Sequence, residues 1–257
     1  MRSVICALLL LLPAAALADS AFDGTWKTRM ETMKVTGKPD QFDLVGGVYT
    51  CESCTPEIKV AADGVDHPVS GHPYYDTVAV TVVDIRAVRI VDKENGREVY
   101  NMTYSVSPDG RTLSARLTDY TGPQVASGAF TAKRVAAGPA GSHATSGSWQ
   151  PEHMSDANDA LRTIAYQMTP EGFVMRWNGQ SYSARFDGQQ YPVEGDPAHT
   201  MVVVHRINAN TVVETDYRGG KETDEIRMAT APDGKTMEIT DRDLEHEQTT
   251  TVTLEKQ

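Results

Sequence analysis

The sequence predicts an all-β protein built as two tandem up-and-down β-barrels from an internal duplication. Three observations carry this. Residues 63–73, Asp63-Gly64-Val65-Asp66-His67-Pro68-Val69-Ser70-Gly71-His72-Pro73, echo residues 187–197, Asp187-Gly188-Gln189-Gln190-Tyr191-Pro192-Val193-Glu194-Gly195-Asp196-Pro197, 124 positions later. The same offset pairs Val80 with Val204, Val88 with Val212, Gly96 with Gly220, and Pro108-Asp109-Gly110 with Pro232-Asp233-Gly234. Self-similarity held at one spacing without a gap marks a duplicated unit. Gly-x-Trp then opens both units, at Gly24-Thr25-Trp26 and at Gly147-Ser148-Trp149. Finally, β-rich runs of hairpin length alternate with tight-turn dipeptides along the whole chain.

The N-terminus reads as a secretory signal peptide over residues 1–18. Arg2 supplies the positive charge, Val4 to Leu12 the apolar core, and Ala16-Leu17-Ala18 the small-residue cleavage site. The apolar run is shorter than the ~20 residues that span a bilayer. Export to the periplasm or beyond is the expectation, with no membrane span, and cleavage would remove Cys6 and leave Cys51 and Cys54.

The first barrel is expected over residues 19–135. Residues 31–47 are the least regular part. Thr77 to Val83 is β-branched, with Val78, Val80 and Val82 on one face; Ala87 to Val91, Val99 to Val106 and Thr112 to Leu117 follow as strands. Asp63-Gly64, Asn95-Gly96 and Asp109-Gly110 supply the positive-φ residues of tight hairpins. Residues 136–145, rich in Ala, Gly and Pro, read as a linker. The second barrel is expected over residues 146–257. It begins with a turn or two of helix near Asp156 to Arg162, capped by Ser155 or Asp156. A hairpin follows, with Phe173, Met175 and Trp177 before Asn178-Gly179, and Tyr182, Ala184 and Phe186 after it. Eight or nine strands per repeat, each hairpin-linked to the next, make a meander that hides its edges best by closing.

A Gly-x-Trp on the first strand, an irregular or helical segment, and a run of meander strands resemble the lipocalin and fatty-acid-binding (calycin) superfamily. In that family a basic residue near the last strand packs over the Trp. Arg134 matches that position, and Lys256 matches it more weakly in the second repeat. The resemblance implies barrel closure by Trp26, Arg134, Trp149 and Lys256 through cation–π contacts. The whole chain also resembles a group of uncharacterised exported bacterial proteins with a duplicated plan, which implies no activity.

Cys51-Glu52-Ser53-Cys54, His67 and His72 give the ligand spacing of a zinc finger. Pro68, Gly71 and Pro73 deny the histidines a helix, and the echo stretch puts Met175, Asn178, Tyr191 and Asp196 at the four positions. Three readings are open: a Cys51–Cys54 disulfide, a zinc or copper site using the two thiolates and the histidines, and a redox-active dithiol. The strand-like residues before the pair withhold the helix N-terminus that lowers a catalytic thiol's pKa. No elbow, phosphate loop or dinucleotide fingerprint occurs, so no catalytic residues are assigned. Asp241, Asp243, Glu245, His246 and Glu247 form an acidic run that reads as a solvated strand or loop.

The formal net charge is −11, and an acidic surface argues against nucleic acid as a partner. The first expectation for function is non-catalytic binding of a small apolar molecule in one or both barrels, without a cofactor. The second is a metal or thiol-redox role centred on Cys51, Cys54, His67 and His72. The third is a structural or interaction module with both barrels filled by their own side chains.

Overall fold

A computed structural model describes residues 20–257. The expected signal peptide, with Cys6, lies outside the described residues. The strands in chain order are β1 (Gly24–Gly37), β2 (Asp40–Val45), β3 (Val48–Cys51), β4 (Ile58–Ala61), β5 (His67–Pro68), β6 (Thr77–Asp84), β7 (Ala87–Glu94), β8 (Arg97–Val106), β9 (Thr112–Asp119), β10 (Ala126–Ala137) and β11 (Gly147–Ser155). A single helical turn, α1 (Asp159–Arg162), leads into β12 (Thr163–Met168), β13 (Gly172–Trp177), β14 (Gln180–Arg185), β15 (Tyr191–Pro192), β16 (Met201–Asn208), β17 (Thr211–Arg218), β18 (Lys221–Thr230), β19 (Thr236–Asp243) and β20 (Gln248–Lys256).

The strands form two separate antiparallel sheets of ten. One runs β4-β3-β2-β11-β10-β9-β8-β7-β6-β5; the other runs β14-β13-β12-β1-β20-β19-β18-β17-β16-β15. Each curls until its ends nearly meet. In the first, Asp63 bridges Thr81, and Gly64 N donates to Val80 O at 2.9 Å. In the second, Ser181 and Glu194 exchange backbone hydrogen bonds of 3.0 and 2.8 Å. The result is two similar, nearly closed antiparallel barrels, as a duplication requires. The echo stretches hold equivalent places, since β5 and β15 each pair with the strand that follows them.

The repeats do not map one-to-one onto the barrels. β1, which opens the first repeat, pairs with β12 and β20 of the second. β11, which opens the second, pairs with β10 and β2 of the first. Each barrel is therefore completed by the opening strand of the other repeat. The first barrel is the continuous stretch β2–β11; the second is β12–β20 closed by β1. A division into residues 19–135 and 146–257 separates strands that are hydrogen-bonded neighbours, and the chain crosses between barrels at residues 37–40 and 155–163.

Residues 136–145 are correspondingly not a tether. They turn the chain between two neighbouring strands of one barrel, since Ala137 pairs with Gly147. Ser142 N donates to Pro139 O (3.0 Å), and His143 N to Leu44 O (2.9 Å). The small residues answer to crowding: a Cβ on Gly138 would stand 2.5 Å from Ser146 Cβ. Residues 31–47, expected to be irregular, are mostly strand, because β1 resumes its ladder with β20 at Lys34 after a bulge. The helical turn lies where expected, but its cap is Asn158, whose side chain accepts from Leu161 N. On β6, Val78 and Val80 are buried and Val82 is exposed beyond the core. The hairpin at Asn178-Gly179 forms as expected, with Trp177 opposite Gln180.

One end of each barrel is plugged by its Trp. Trp149 Nε1 donates to Thr145 O (2.9 Å), and Trp26 Nε1 to Phe22 O (2.8 Å). Both indoles are fully buried. The glycine of each Gly-x-Trp has φ in the left-handed half of the map, +125° at Gly147 and +131° at Gly24. A Cβ at Gly147 would stand 2.3 Å from Ala136 O and 2.9 Å from Arg134 Nη1. Glycine is needed there both for the backbone angle and for passage of the basic side chain.

Candidate functional site

The first barrel is hollow. Its inward rows come from the alternation of side chains along strands such as β7 and β9. On β7, Val88 and Ile90 face the interior, and the next inward position is Asp92. Above the Trp149 plug, the interior holds an open-mouthed cavity of about 420 Å³, a size that suits a small organic ligand. Its wall is aromatic. Phe42 stands 5.1 Å from Tyr104 and 6.2 Å from Tyr49 between ring centres, and Tyr104 stands 6.4 Å from Phe130. Nearer the mouth, His72 stacks on Tyr75 at 4.7 Å, and Tyr75 meets Tyr100 edge-on at 6.5 Å. Arg218, Glu245, His246 and Gln248, all from the second barrel, border the opening.

The second barrel is filled at the matching positions. Tyr182 stands where the first barrel has Ile58, and Met237 where it has Leu113. Leu254 pairs with Met237 as Ala132 pairs with Leu113, so a leucine replaces an alanine on the inner wall. Tyr166, Phe173, Met168 and Met228 complete the plug. The difference in volume is thus a difference in side chains on one shared scaffold.

Electrostatics divide the barrels as well. In the first, burial raises the Asp92 carboxyl to about 7. Burial and the nearby Asp92 charge raise Tyr75, and the same two causes contribute to the raised Tyr49, Tyr100 and Tyr104 hydroxyls. In the second, Glu214 is buried and accepts from the Tyr182 hydroxyl. Burial raises Glu214 and Asp216, the nearby Glu214 charge raises Asp216 further, and burial with Asp224 nearby raises Asp241 to about 7. Arg218 answers part of this charge, reaching Asp224 at 3.0 Å and Glu245 at 3.3 Å.

No protein-family model, curated protein or solved structure matches the chain. The resemblance to the lipocalins therefore gains no support from relatives. The two similar, nearly closed barrels from a duplication stand on the topology itself.

The Cys51–His72 constellation resolves into separate parts. Cys51 and Cys54 are joined in a disulfide. His67 lies on β5, with Nε2 2.9 Å from Asp63 Oδ1. His72 is held by Tyr75, whose hydroxyl lies 3.1 Å from His72 Nδ1. Among the described residues, no group of three or more His, Cys, Asp or Glu side chains is arranged to hold a metal ion. The four-residue zinc or copper site is corrected on that ground: its thiolates are consumed by the bond and its histidines have other partners. What remains of the constellation is a wall, since Cys51, Cys54 and His72 all border the cavity.

Two cation–π contacts run between repeats. Arg134 lies over Trp149 at 4.0 Å and Lys256 over Trp26 at 5.3 Å. Neither basic residue covers the Trp of its own repeat. In the acidic run, Asp241 faces a half-buried site instead of solvent, and Asp243 Oδ2 holds His246 Nδ1 at 2.6 Å. Sequence reasoning missed Asp92 and its aromatic neighbours. The available signal was the alternation Val88, Ile90, Asp92, which carries a carboxylate onto an otherwise apolar face.

Proposed function

We propose that the protein is an exported, non-catalytic binding protein that holds one small, largely apolar molecule inside the barrel β2–β11. The observation that carries this reading is the asymmetry between two homologous interiors. One is packed with Tyr, Phe and Met, and the other holds an open-mouthed cavity of about 420 Å³ lined by aromatic rings. Natural cores are filled to crystal-like density, so an unfilled aromatic interior beside a filled twin suits a container. The sequential strand order, the Trp plug and the basic residue above it support a lipocalin-like reading of each barrel. The disulfide suits an oxidising compartment and so supports export. The filled second barrel serves as the partner that closes the first, bringing Arg218, Glu245 and His246 to its mouth.

The test is a fluorescence titration of the full chain with the neutral apolar probe N-phenyl-1-naphthylamine. Saturable one-to-one binding is expected in the wild type. It should disappear in the double variant Ile58→Phe/Ala132→Leu, which brings the wall toward the bulk that the second barrel carries. Equal binding by both proteins would place the probe elsewhere and remove the reading.

A further inference from the structure

We infer that the ligand of the first barrel is an organic cation, its positive group seated against Asp92 and its apolar body in the aromatic interior. The inference rests on the container reading and adds the charge of the occupant.

Asp92 is the inward residue that follows Val88 and Ile90 on β7, and it borders the cavity. Among the described residues no side chain or backbone group is hydrogen-bonded or ion-paired to its carboxyl, and desolvation alone perturbs it. The neighbouring cations are engaged elsewhere. Lys93 turns outward to Asp66 at 2.7 Å, and Arg89 Nε donates to Asn101 Oδ1 at 3.1 Å. A carboxyl without a partner in a partly desolvated cavity is costly unless something completes it.

The surroundings select for positive charge. Tyr49, Tyr75, Tyr100 and Tyr104 all lie within electrostatic reach of Asp92. Tyrosine and phenylalanine faces carry negative π density, which attracts ammonium and guanidinium groups. The two cations at the mouth already face carboxylates: Arg218 reaches Asp224 and Glu245 through its two Nη atoms, leaving only Nε without a partner, and His246 is paired with Asp243. Asp40, also at the mouth, has no cationic side chain bonded to it; its hydrogen-bond partner is the Gln248 amide. An anionic ligand would meet Asp92 and Asp40, and the one unpartnered donor, Arg218 Nε, sits on a guanidinium whose charge Asp224 and Glu245 already answer. A neutral ligand would leave the carboxyl unpaired. The chain's net charge of −11 favours approach of a cation from solution.

The test compares two isosteres on the full chain by displacement of N-phenyl-1-naphthylamine: (1-naphthylmethyl)trimethylammonium and its carbon analogue 1-neopentylnaphthalene, which differ only in charge. The cation should bind at least about ten-fold tighter, the scale of one charged contact. Asp92→Asn should reduce that preference to within about three-fold, leaving affinity for the neutral analogue unchanged. That unchanged affinity also reports that the variant is folded. Asp92→Ser serves as a second variant should the amide find a new partner. If the neutral analogue binds as well as the cation, or both variants keep the preference, the charge inference fails and the container reading stands. If neither isostere nor the probe binds, both fail together.

Discussion

The Arg134 guanidinium carbon lies 4.0 Å from the centre of the Trp149 ring, although the two residues belong to different repeats. Its other contacts fix the same corner. Nε donates to Gly110 O (2.6 Å), Nη1 to Ser146 O (2.5 Å) and Nη2 to Ala144 O (2.6 Å). One side chain on β10 thus ties the turn between β8 and β9, the turn after β10 and the incoming strand β11 to one another. Lys256 does less over Trp26: it stands 5.3 Å away and donates to a single carbonyl, Ala21 O, at 3.2 Å.

That contrast predicts unequal costs. Arg134→Ala should destabilise the protein by about 3 kcal/mol, since it strands three carbonyls as well as the ring contact. Lys256→Ala should cost about 1 kcal/mol. Arg134→Lys should rescue little, because an ammonium cannot reproduce the planar fork. Urea denaturation of the three variants measures the order, and equal losses at Arg134 and Lys256 would contradict it.

The exchange of opening strands predicts how the protein can be cut. A fragment of residues 38–158 carries every strand of the first barrel and should unfold cooperatively on its own. A fragment of residues 19–140, cut where the composition invites it, lacks β11. It leaves β2 and β10 with open edges and carries a surplus β1. It should aggregate or bind a second chain. Size-exclusion chromatography and circular dichroism of the two fragments decide the point; a well-folded monomer from 19–140 would be the contrary result.

The half-buried carboxyl of Asp241 sets a pH dependence. Its folded pKa of about 7 lies above the ordinary aspartate value of 3.8. The folded state therefore holds the proton longer than the unfolded state. The stability linked to it is present below the unfolded pKa and is lost as pH rises through about 7. One of its oxygens, Oδ1, has no hydrogen-bond partner. Asp241→Asn should stabilise the protein at pH 8 by on the order of 2 kcal/mol, raising its melting temperature, and should do so distinctly less at pH 5, nearer the unfolded pKa. A uniform shift at both pH values would assign the effect to packing instead of charge.

The disulfide closes only the short segment from Cys51 to Cys54, for which chain entropy gives roughly 2 kcal/mol. Both cysteines also border the cavity. Cys51→Ser/Cys54→Ser should therefore lower the urea midpoint modestly and weaken N-phenyl-1-naphthylamine binding, with no change in metal content by elemental analysis. Unaltered probe affinity would detach the disulfide from the binding wall.

Much of the scaffold was legible because it is written in local chemistry. Asn178-Gly179 set its hairpin through positive φ, and the alternation along β9 and β14 set their buried faces. The equivalence of residues 63–73 and 187–197 was legible as plain repetition. The strand exchange was not, because nothing local distinguishes Trp26 plugging its own barrel from Trp26 plugging the other. The pairing is decided by the geometry of the crossings at residues 37–40 and 155–163. The linker was misread because small, breaker-rich residues serve equally in a tether and in a crowded turn such as Gly138 against Ser146. Cysteine and histidine spacing suggested a metal site, but β5 turns His67 toward Asp63 and Tyr75 holds His72. The cavity was invisible in sequence because it depends on volume. Exchanges such as Ile58 for Tyr182 and Ala132 for Leu254 look conservative one at a time, and their sum leaves one barrel open.

The most direct measurement of the central claim is a native mass spectrum of the full chain purified from its own host, recorded beside the Ile58→Phe/Ala132→Leu variant. The account predicts one organic molecule retained by the wild type, released on denaturation and absent from the filled variant. A bare wild-type protein that also fails to take up N-phenyl-1-naphthylamine, or an adduct carried equally by both proteins, would contradict it.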